Sequence, residues 1–321
     1  MSALLSTKVR RVAASLPLAL SVALACGGAD AASRGTPVSA GPTEFDGGAA
    51  MGWVRKQVEF GPRVPGTPAH RAAGDWLFAE LRKRADTVYA QEWVHTTADG
   101  KKLPMRNIVA RFRPADPKRV LYLAHWDSRP ASDKETDPAL AAMPVPGAND
   151  GGSGVAVLLG VAEALKKRAP AVGVDLVLTD GEDWGSFVTM TDVLIGATYF
   201  GDHLPSADYM PLFGVLWDMV GDFDQSFGHE SHSVRAAPEV VQRVWAVAQR
   251  LGHGGVFTTR DVGPISDDHV PLIDRGLRVI DVIDLGFEWH HTTKDTPDKV
   301  SQKSLQVVGD VAVTVIRDLA P

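Results

Sequence analysis

Residues 148–183 read ANDGGSGVAVLLGVAEALKKRAPAVGVDLVLTDGED, and this stretch decides the fold class. Its apolar residues from Gly152 to Lys167 recur at helical spacing, which predicts an inward-facing helix. The apolar, β-branched run from Val174 to Thr179 predicts a buried strand. One aspartate, Asp150, precedes the helix, and two adjacent acids follow the strand. A helix that leads into a buried strand is typical of a parallel α/β sheet.

The same alternation continues on both sides of this stretch. Further strands are predicted over Asn107 to Phe112, Val120 to His125, Leu212 to Asp218 and Leu277 to Leu285. Further helices are predicted over Thr67 to Ala85, over Pro238 to Leu251, and from the cap Ser301 through Leu319. We therefore predict a single α/β domain with three layers, in which helices cover both faces of a mostly parallel, mixed central sheet.

The composition is ordinary for a globular domain and argues against several other classes of protein. Of the 321 residues, 45% are hydrophobic and 22% are charged. The formal net charge is −6 and no run is rich in Lys or Arg, so a nucleic-acid partner is not expected. The single cysteine, Cys26, rules out an intramolecular disulfide and a Cys-rich zinc module. We expect a monomer.

Residues 1–26 have the features of an export signal. Basic residues precede an apolar run from Val12 to Ala25, and small residues lead up to Cys26. The run is short for a membrane-spanning helix and contains Pro17. Two interpretations stay open: lipidation of Cys26, as in a bacterial lipoprotein signal, or ordinary cleavage near Ala25. Either one predicts an exported protein of the bacterial cell envelope or periplasm, and the first adds a lipid anchor in the membrane.

A flexible tether is predicted to follow the export signal. Residues 27–48 are rich in Gly, Ala, Ser and Pro and have almost no apolar periodicity. The folded domain is therefore predicted to span residues 49–321, without an internal repeat or a second linker.

The first candidate site residues lie where predicted secondary-structure elements begin or end. His125 ends a strand, and Asp127 two residues later is placed to hold the imidazole in one tautomer. Asp150 lies in a glycine-rich turn before a helix, where a simple helix cap is the alternative. Since open α/β sheets build their sites at the carboxyl ends of parallel strands, we expect these side chains to meet.

Three further segments add acidic and imidazole groups. Glu182 and Asp183 are adjacent acids, and a divalent cation beside them would relieve their repulsion. Asp218 lies in an apolar stretch and needs a partner for its charge. The doublet of His290 and His291 offers two imidazoles near the end of the chain. Imidazole nitrogens and carboxylate oxygens without cysteine suit Zn²⁺ in a hydrolase-like site.

As a set, and in this order, the motifs resemble the co-catalytic zinc aminopeptidase superfamily and in particular its glutaminyl cyclase branch. The resemblance covers about residues 52–319, and it includes the segment from Phe60 to Thr67 before the first predicted helix. It implies a zinc aminopeptidase-like fold and, as substrates, the N-termini of peptides or proteins.

The resemblance also implies a role for each matching residue. Aminopeptidases of this superfamily bind two zinc ions and use one acidic residue as the base, which here matches Glu182. The ligands of the two zinc ions match His125, Asp150, Asp183, Asp218 and His291. Cyclases normally keep one zinc ion, on the residues that match Asp150, Asp183 and His291. The resemblance thus implies one Zn²⁺ for a cyclase and two for an aminopeptidase.

Some features favour the cyclase branch and others depart from it. The acids Asp267 and Asp268 form a doublet where aminopeptidases usually have a single Asp, and Trp289 resembles a wall of the cyclase pocket. Asp183, however, stands where animal cyclases more often have Glu. The choice between His290 and His291 as the ligand also stays open; we choose His291 because an aspartate follows it at the spacing of the family.

The leading hypothesis is a zinc-dependent glutaminyl cyclase, which converts N-terminal glutamine into pyroglutamate and releases ammonia. Glu182 would transfer the proton, while Asp267 and Asp218 would share a hydrogen-bonded network. Trp289 and Trp184 would form an apolar pocket wall, although Trp184 fits core packing equally well. The alternatives are a two-zinc aminopeptidase and a tethered envelope binding protein without activity.

Overall fold

The computed structural model describes residues 43–320. The predicted export signal, Cys26 and most of the predicted tether lie outside these residues. The strands are β1 (Thr87–Thr96), β2 (Lys102–Phe112), β3 (Arg119–His125), β4 (Gly173–Thr179), β5 (Phe213–Asp218), β6 (Phe227–Glu230), β7 (Phe257–Gly263) and β8 (Val279–Ile283). The helices are α1 (Gly47–Glu59), α2 (Pro68–Arg82), α3 (Pro138–Ala141), α4 (Gly152–Lys167), α5 (Ile195–Asp202), α6 (Ser231–Ala236), α7 (Pro238–Arg250), α8 (His269–Ile273) and α9 (Gln302–Arg317), with a 3₁₀ turn at Pro297–Lys299.

Six strands form the central sheet, in the order β1-β2-β4-β3-β5-β8. The four strands β4, β3, β5 and β8 run parallel to one another. Strand β2 is antiparallel to β4, and β1 is antiparallel to β2. Strands β6 and β7 form a separate parallel pair. The predicted sheet, mixed but mostly parallel, is confirmed.

Helices cover both faces of this sheet, so its central strands are buried along their whole length. In β3, Val120 and Tyr122 join the main hydrophobic core with residues of α1, α4, α7 and α9. Leu121 and Leu123 point the other way and pack with Phe200 of α5 and with residues of α8. Because successive side chains of a strand point to opposite faces, one apolar run supplies both cores. The three-layer α/β/α architecture is confirmed.

Helix α4 lies close to β5 because Gly154 has no side chain. A Cβ atom at this position would overlap the backbone oxygen of Trp217, the residue before Asp218 in β5. Asp150 lies two residues before α4 begins. The close approach of this helix and strand therefore brings Asp150 and Asp218 to the same end of the sheet.

The folded domain begins before the predicted boundary at residue 49. Phe45 is only 4% exposed and belongs to the main core, where its ring fills the space that Gly160 and Gly309 leave. Asp46 caps α1 by accepting the N–H of Ala49 at 3.0 Å. The tether was predicted too long because the glycines and alanines at the start of α1 resemble a linker.

The remaining predicted elements agree with the structure to within a few residues. Ser301 caps α9 as predicted, since its side chain accepts the N–H of Ser304.

Among the helices in residues 43–320, none combines the length and apolar character that crossing a membrane requires.

Candidate metal centre

The predicted site residues meet at the carboxyl ends of three parallel strands. His125 ends β3, Asp218 ends β5, and Asp150 lies in the turn before α4. Glu182 and Asp183 follow β4 within four residues. All five side chains belong to residues that are at most 6% exposed. Such a concentration of buried acids requires compensating positive charge.

One group of ligand atoms forms around His125. Its Nε2 atom lies 3.1 Å from Asp150 Oδ1 and 3.2 Å from Asp218 Oδ1. Neither imidazole nitrogen makes a well-formed hydrogen bond within the described residues, although Asp127 Oδ1 lies 3.4 Å from Nδ1. The three residues offer ligand atoms within 4.8 Å of one another. An imidazole nitrogen that meets two carboxylate oxygens in this way suits a metal ion.

A second group forms around the other oxygen of Asp150. His291 Nε2 lies 3.6 Å from Asp150 Oδ2 and 3.3 Å from Asp183 Oδ1. Asp150 Oδ2 and Asp183 Oδ2 are buried and have no hydrogen-bond partner in residues 43–320. Buried carboxylate oxygens without a donor are costly unless a cation binds them, so these residues fit a metal ion. Asp150 therefore offers one oxygen to each group.

His290 lies next to the second group but faces a different partner. Its Nδ1 atom accepts a hydrogen bond from Lys134 Nζ at 2.6 Å, and its Nε2 atom lies 3.9 Å from Asp150 Oδ2. Together with Asp150 and His291 it offers ligand atoms within 4.8 Å of one another. Burial lowers the pKa of His290 to about 3. The choice of His291 as the ligand therefore stays a prediction.

Asp127 holds the turn that carries the two adjacent acids. Its carboxylate oxygens accept the backbone N–H groups of Glu182 at 3.1 Å and of Asp183 at 3.3 Å. The same carboxylate lies beside His125 Nδ1. It thus connects the ends of β3 and β4, in addition to the predicted contact with the imidazole.

Two buried residues to which the sequence analysis gave no role in the site fix the Asp150 turn. Asp295 accepts the backbone N–H groups of Asn149 at 2.8 Å and of Asp150 at 3.1 Å. Burial and the nearby Asp150 charge raise the pKa of Asp295 to about 8. Arg63 is fully buried and donates to the backbone oxygens of Trp126, Pro146 and Gly147 at 2.6–3.1 Å. An isolated Arg in a loop gives no periodic signal that would have identified it, and the aspartate was noted only for its spacing from His291.

Both groups of ligand atoms face a cavity of about 540 Å³. Its polar lining includes Arg129, Asp133, Lys134 and Glu182, and its apolar lining includes Phe187, Ile265, Ile283 and Leu285. A cavity of this size, mostly apolar but with several converging polar groups, is suited to bind a small molecule or the end of a peptide.

Glu182 has the environment of a proton acceptor at this cavity. Burial raises its pKa well above the usual range, and the charge of Asp183 raises it further, while the nearby His125 opposes both. The His125 Nδ1 atom lies 3.9 Å from Glu182 Oε2. A bound cation would lower the pKa of Glu182 again. Glu182 would then be a carboxylate that can accept a proton and return it.

Asp267 adds a further carboxyl group to the lining of the cavity. It is 2% exposed, and its Oδ2 atom has no hydrogen-bond partner in the described part of the chain. Burial, together with the charges of Asp218 and Asp268, raises its pKa well above the usual range. Asp268 instead accepts a hydrogen bond from the hydroxyl of Thr179 and does not line the cavity. Asp267 is therefore a buried carboxyl group whose raised pKa favours its protonated form near Asp218.

Neither of the two tryptophans predicted as pocket walls lines the 540 Å³ cavity directly. Trp184 packs against the cluster of Leu103, Met105 and Ile195, and Lys101 Nζ lies 4.3 Å from its ring centre. Trp289 packs beside Ile283 but lines a separate cavity. Residues 289–292 form a turn, in which the N–H of Thr292 donates to the backbone oxygen of Trp289. The adjacent His290, and not Trp289, lines the 540 Å³ cavity.

Glu230 stabilises one wall of the cavity and makes the stability of the protein depend on pH. It accepts the backbone N–H groups of Ser233 at 2.6 Å and of the wall residue Ile265 at 3.0 Å. Burial raises the pKa of Glu230, but hydrogen bonds from His269 and the backbone outweigh it and lower the pKa to about 2. Because this pKa is depressed on folding, the stabilisation is present above about pH 4.5 and is lost as the pH falls toward 2.

We therefore expect Glu230→Gln to lower the free energy of unfolding by about 2 kcal/mol at pH 7, allowing for solvent screening. The loss should shrink to about half or less at pH 3. Urea denaturation at both pH values measures it, with the exposed Glu239→Gln as the control. An equal decrease in the free energy of unfolding at both pH values would contradict the lowered pKa of Glu230 in the folded protein.

Comparison with known proteins adds the family. The family model of peptidase family M28 matches residues 107–316. A solved zinc-dependent exopeptidase from Parabacteroides distasonis is 39% identical, with a TM-score of 0.83 over 87% of this chain and 99% of that one. A solved glutaminyl cyclase from Porphyromonas gingivalis is 38% identical, with a TM-score of 0.82 over 85% of this chain and 98% of that one.

Curated relatives have lower sequence identity to this chain, and the matches cover a smaller share of their length. Aminopeptidase YwaD from Bacillus subtilis is 24% identical over 66% of this chain and 44% of its own length. The chain spans less than half the length of this relative and of two others. The matched residues 107–316 include the buried acids around Asp150 and the histidine doublet. The chain belongs to peptidase family M28.

Proposed function

We propose that this protein, an enzyme of the cyclase or peptidase type, is a zinc-dependent glutaminyl-peptide cyclotransferase. It would convert the N-terminal glutamine of a peptide or protein into pyroglutamate and release ammonia. The observation that carries the proposal is Asp267, a buried carboxyl group that lines the cavity near Asp218 and has one oxygen without a hydrogen-bond partner in residues 43–320. The similarity to a solved glutaminyl cyclase at 38% identity supports it.

Asp150, Asp183 and His291 would hold the zinc ion of a cyclase. The Oδ2 atoms of Asp150 and Asp183 have no hydrogen-bond partner in residues 43–320. Together with the Nε2 atom of His291 they provide the mixed oxygen and nitrogen ligands that zinc accepts. When bound, zinc acts as a Lewis acid on the γ-carbonyl group of the substrate.

Glu182 would carry the proton between the two nitrogen atoms of the substrate. It accepts a proton from the α-amine as that nitrogen forms its bond to the γ-carbonyl carbon. It then returns the proton to the amide nitrogen, which leaves as ammonia when its bond to the same carbon breaks. The α-amine has an ordinary pKa of about 7.7–8.0, so a modest base is sufficient.

Asp267 and Asp218 would share a further proton, which belongs to the carboxyl pair and is not transferred to the product. A carboxyl group that keeps its proton can donate a hydrogen bond, while its neighbour accepts one. Such a pair at the cavity wall steadies the amide nitrogen of the substrate while its bonds rearrange.

A two-zinc aminopeptidase is the second candidate, and one observation favours it. His125 Nε2 lies within 3.2 Å of oxygens from both Asp150 and Asp218, so the group of ligand atoms around His125, which a cyclase does not need, is intact. In that reaction Glu182 would take the proton of the attacking water. Elemental analysis for zinc, with pyroglutamate and ammonia assays on a Gln-peptide and hydrolysis assays on a Leu-peptide, separates the two activities. Cleavage of the Leu-peptide without pyroglutamate formation would refute the cyclase assignment.

Asp267→Asn tests the carboxyl pair directly. We expect kcat for pyroglutamate formation to fall about 10²-fold with little change in KM, because the pair matters most as charge develops in the transition state. The control is Asp274→Asn, an exposed residue at the end of α8. Equal kcat values for the two variants would exclude Asp267 from the mechanism. In an aminopeptidase, Leu-peptide hydrolysis would survive the same change.

A further inference from the structure

The loop segment of residues 129–134 contacts two of the three predicted zinc ligands. Asp133 Oδ1 lies 3.2 Å from Nδ1 of His291, the imidazole nitrogen that does not face Asp150. The backbone N–H of Lys134 donates to the backbone oxygen of His291 at 3.3 Å. The segment thus contacts both the side chain and the main chain of this histidine.

Arg129 connects the same segment to Asp183. Its Nη1 atom donates to Asp183 Oδ1 at 2.6 Å and to the backbone oxygen of Asp183 at 3.3 Å. Its Nε and Nη2 atoms donate to Asp133 Oδ2 at 3.1 and 2.5 Å. The guanidinium group therefore bridges two carboxylates. Asp133 is the one that contacts His291, and Asp183 is itself a predicted zinc ligand.

The backbone of His291 explains why such support is needed. It adopts φ = +57°, in the left-handed region that residues with a side chain rarely occupy. This conformation costs about 1 kcal/mol or more and persists only where surrounding contacts impose it. The supporting segment is itself fixed, because the backbone oxygen of Arg129 accepts the N–H of Val145 and the N–H of Ser132 donates to Met143.

We infer that Arg129 and Asp133 form a ligand clamp, a pair of positioning residues that sets the affinity of the site for zinc. Asp133 accepts the proton on His291 Nδ1 and so leaves the Nε2 lone pair free toward Asp150 and Asp183. Arg129 occupies Asp183 Oδ1 and leaves Oδ2 unpaired for the metal. The inference rests on the proposed function only in taking His291 and Asp183 as zinc ligands.

The test is the dissociation constant for zinc, measured by competition with a chromophoric chelator. We expect Asp133→Ala and Arg129→Met each to weaken zinc binding by about 10–100-fold. Asp133→Asn should weaken it less, because an amide oxygen still accepts from Nδ1 although it no longer pairs with Arg129. The matched control is Asp137→Asn, an exposed residue of the same loop that caps α3.

Thermal unfolding separates positioning from a loss of folding. The Tm of the zinc-free variants should equal that of the zinc-free wild type, while the rise in Tm on adding zinc shrinks. If Asp133→Ala binds zinc as tightly as Asp137→Asn does, the inference is overturned. It is also overturned if zinc binding weakens but the Tm of the zinc-free variant falls to the same extent. A wild type that binds zinc but forms no pyroglutamate would refute the proposed function and leave the clamp supported by its own variants.

Discussion

Glu182→Gln is expected to lower kcat for pyroglutamate formation by about 10²–10⁴-fold while the zinc content stays at the wild-type level. Glutamine keeps the size and most of the packing of Glu182 but cannot accept a proton. The turn around it should persist, because Asp127 holds that turn through the backbone N–H groups of residues 182 and 183. The neighbouring ligand Asp183 is unchanged, so metal binding should not suffer.

Steady-state kinetics on a Gln-peptide and elemental analysis of the same preparation measure both quantities. Glu92→Gln, a change at an exposed glutamate of β1, controls for the loss of a negative charge. A fully zinc-loaded Glu182→Gln variant with the wild-type kcat would remove Glu182 from the mechanism. Loss of zinc together with activity would instead make Glu182 a residue of the metal site.

His291→Ala is expected to lose zinc, and His290→Ala is expected to keep most of it. His291 directs Nε2 toward two carboxylates while Asp133 holds its Nδ1 atom. His290 has its Nδ1 atom bonded to Lys134, and its Nε2 atom is farther from Asp150. Removing a ligand should weaken zinc binding by more than the 10–100-fold that follows loss of a supporting residue.

Zinc stoichiometry after dialysis against a weak chelator measures this difference. Each histidine variant serves as the control for the other, because the two residues are adjacent and both line the same cavity. Retention of zinc by His291→Ala with loss from His290→Ala would mean that the neighbouring histidine is the ligand. Such a result would also remove the basis for the ligand clamp.

The central fold was predictable because its signals are local and periodic. The apolar runs that end at His125, Thr179 and Asp218 are strands buried on both faces, and acids or an imidazole stand at their ends. Parallel strands bring these ends together without any further information from the sequence. The location of the site therefore followed from the order of elements along the chain.

What the sequence analysis missed depends on contacts between distant segments. Arg63 binds three backbone oxygens that lie at least 63 positions away in the chain, and Arg129 reaches Asp183 across 54 positions. Strand β1 was missed because an edge strand is only partly buried, so its apolar pattern is weak. The orientation of Trp289 could not be predicted, because the direction of a side chain in a tight turn depends on backbone angles that residue types alone do not fix.

The burial of Phe45 has a practical consequence for anyone who produces this domain by recombinant expression. A gene that starts at residue 49 would omit a core aromatic residue and leave an open slot between α4 and α9. Truncation of a buried phenylalanine typically costs about 3–5 kcal/mol, a large share of the stability of a typical domain. Expression should therefore begin upstream of Thr43, and a preparation that aggregates from a shorter gene says nothing about the enzyme itself.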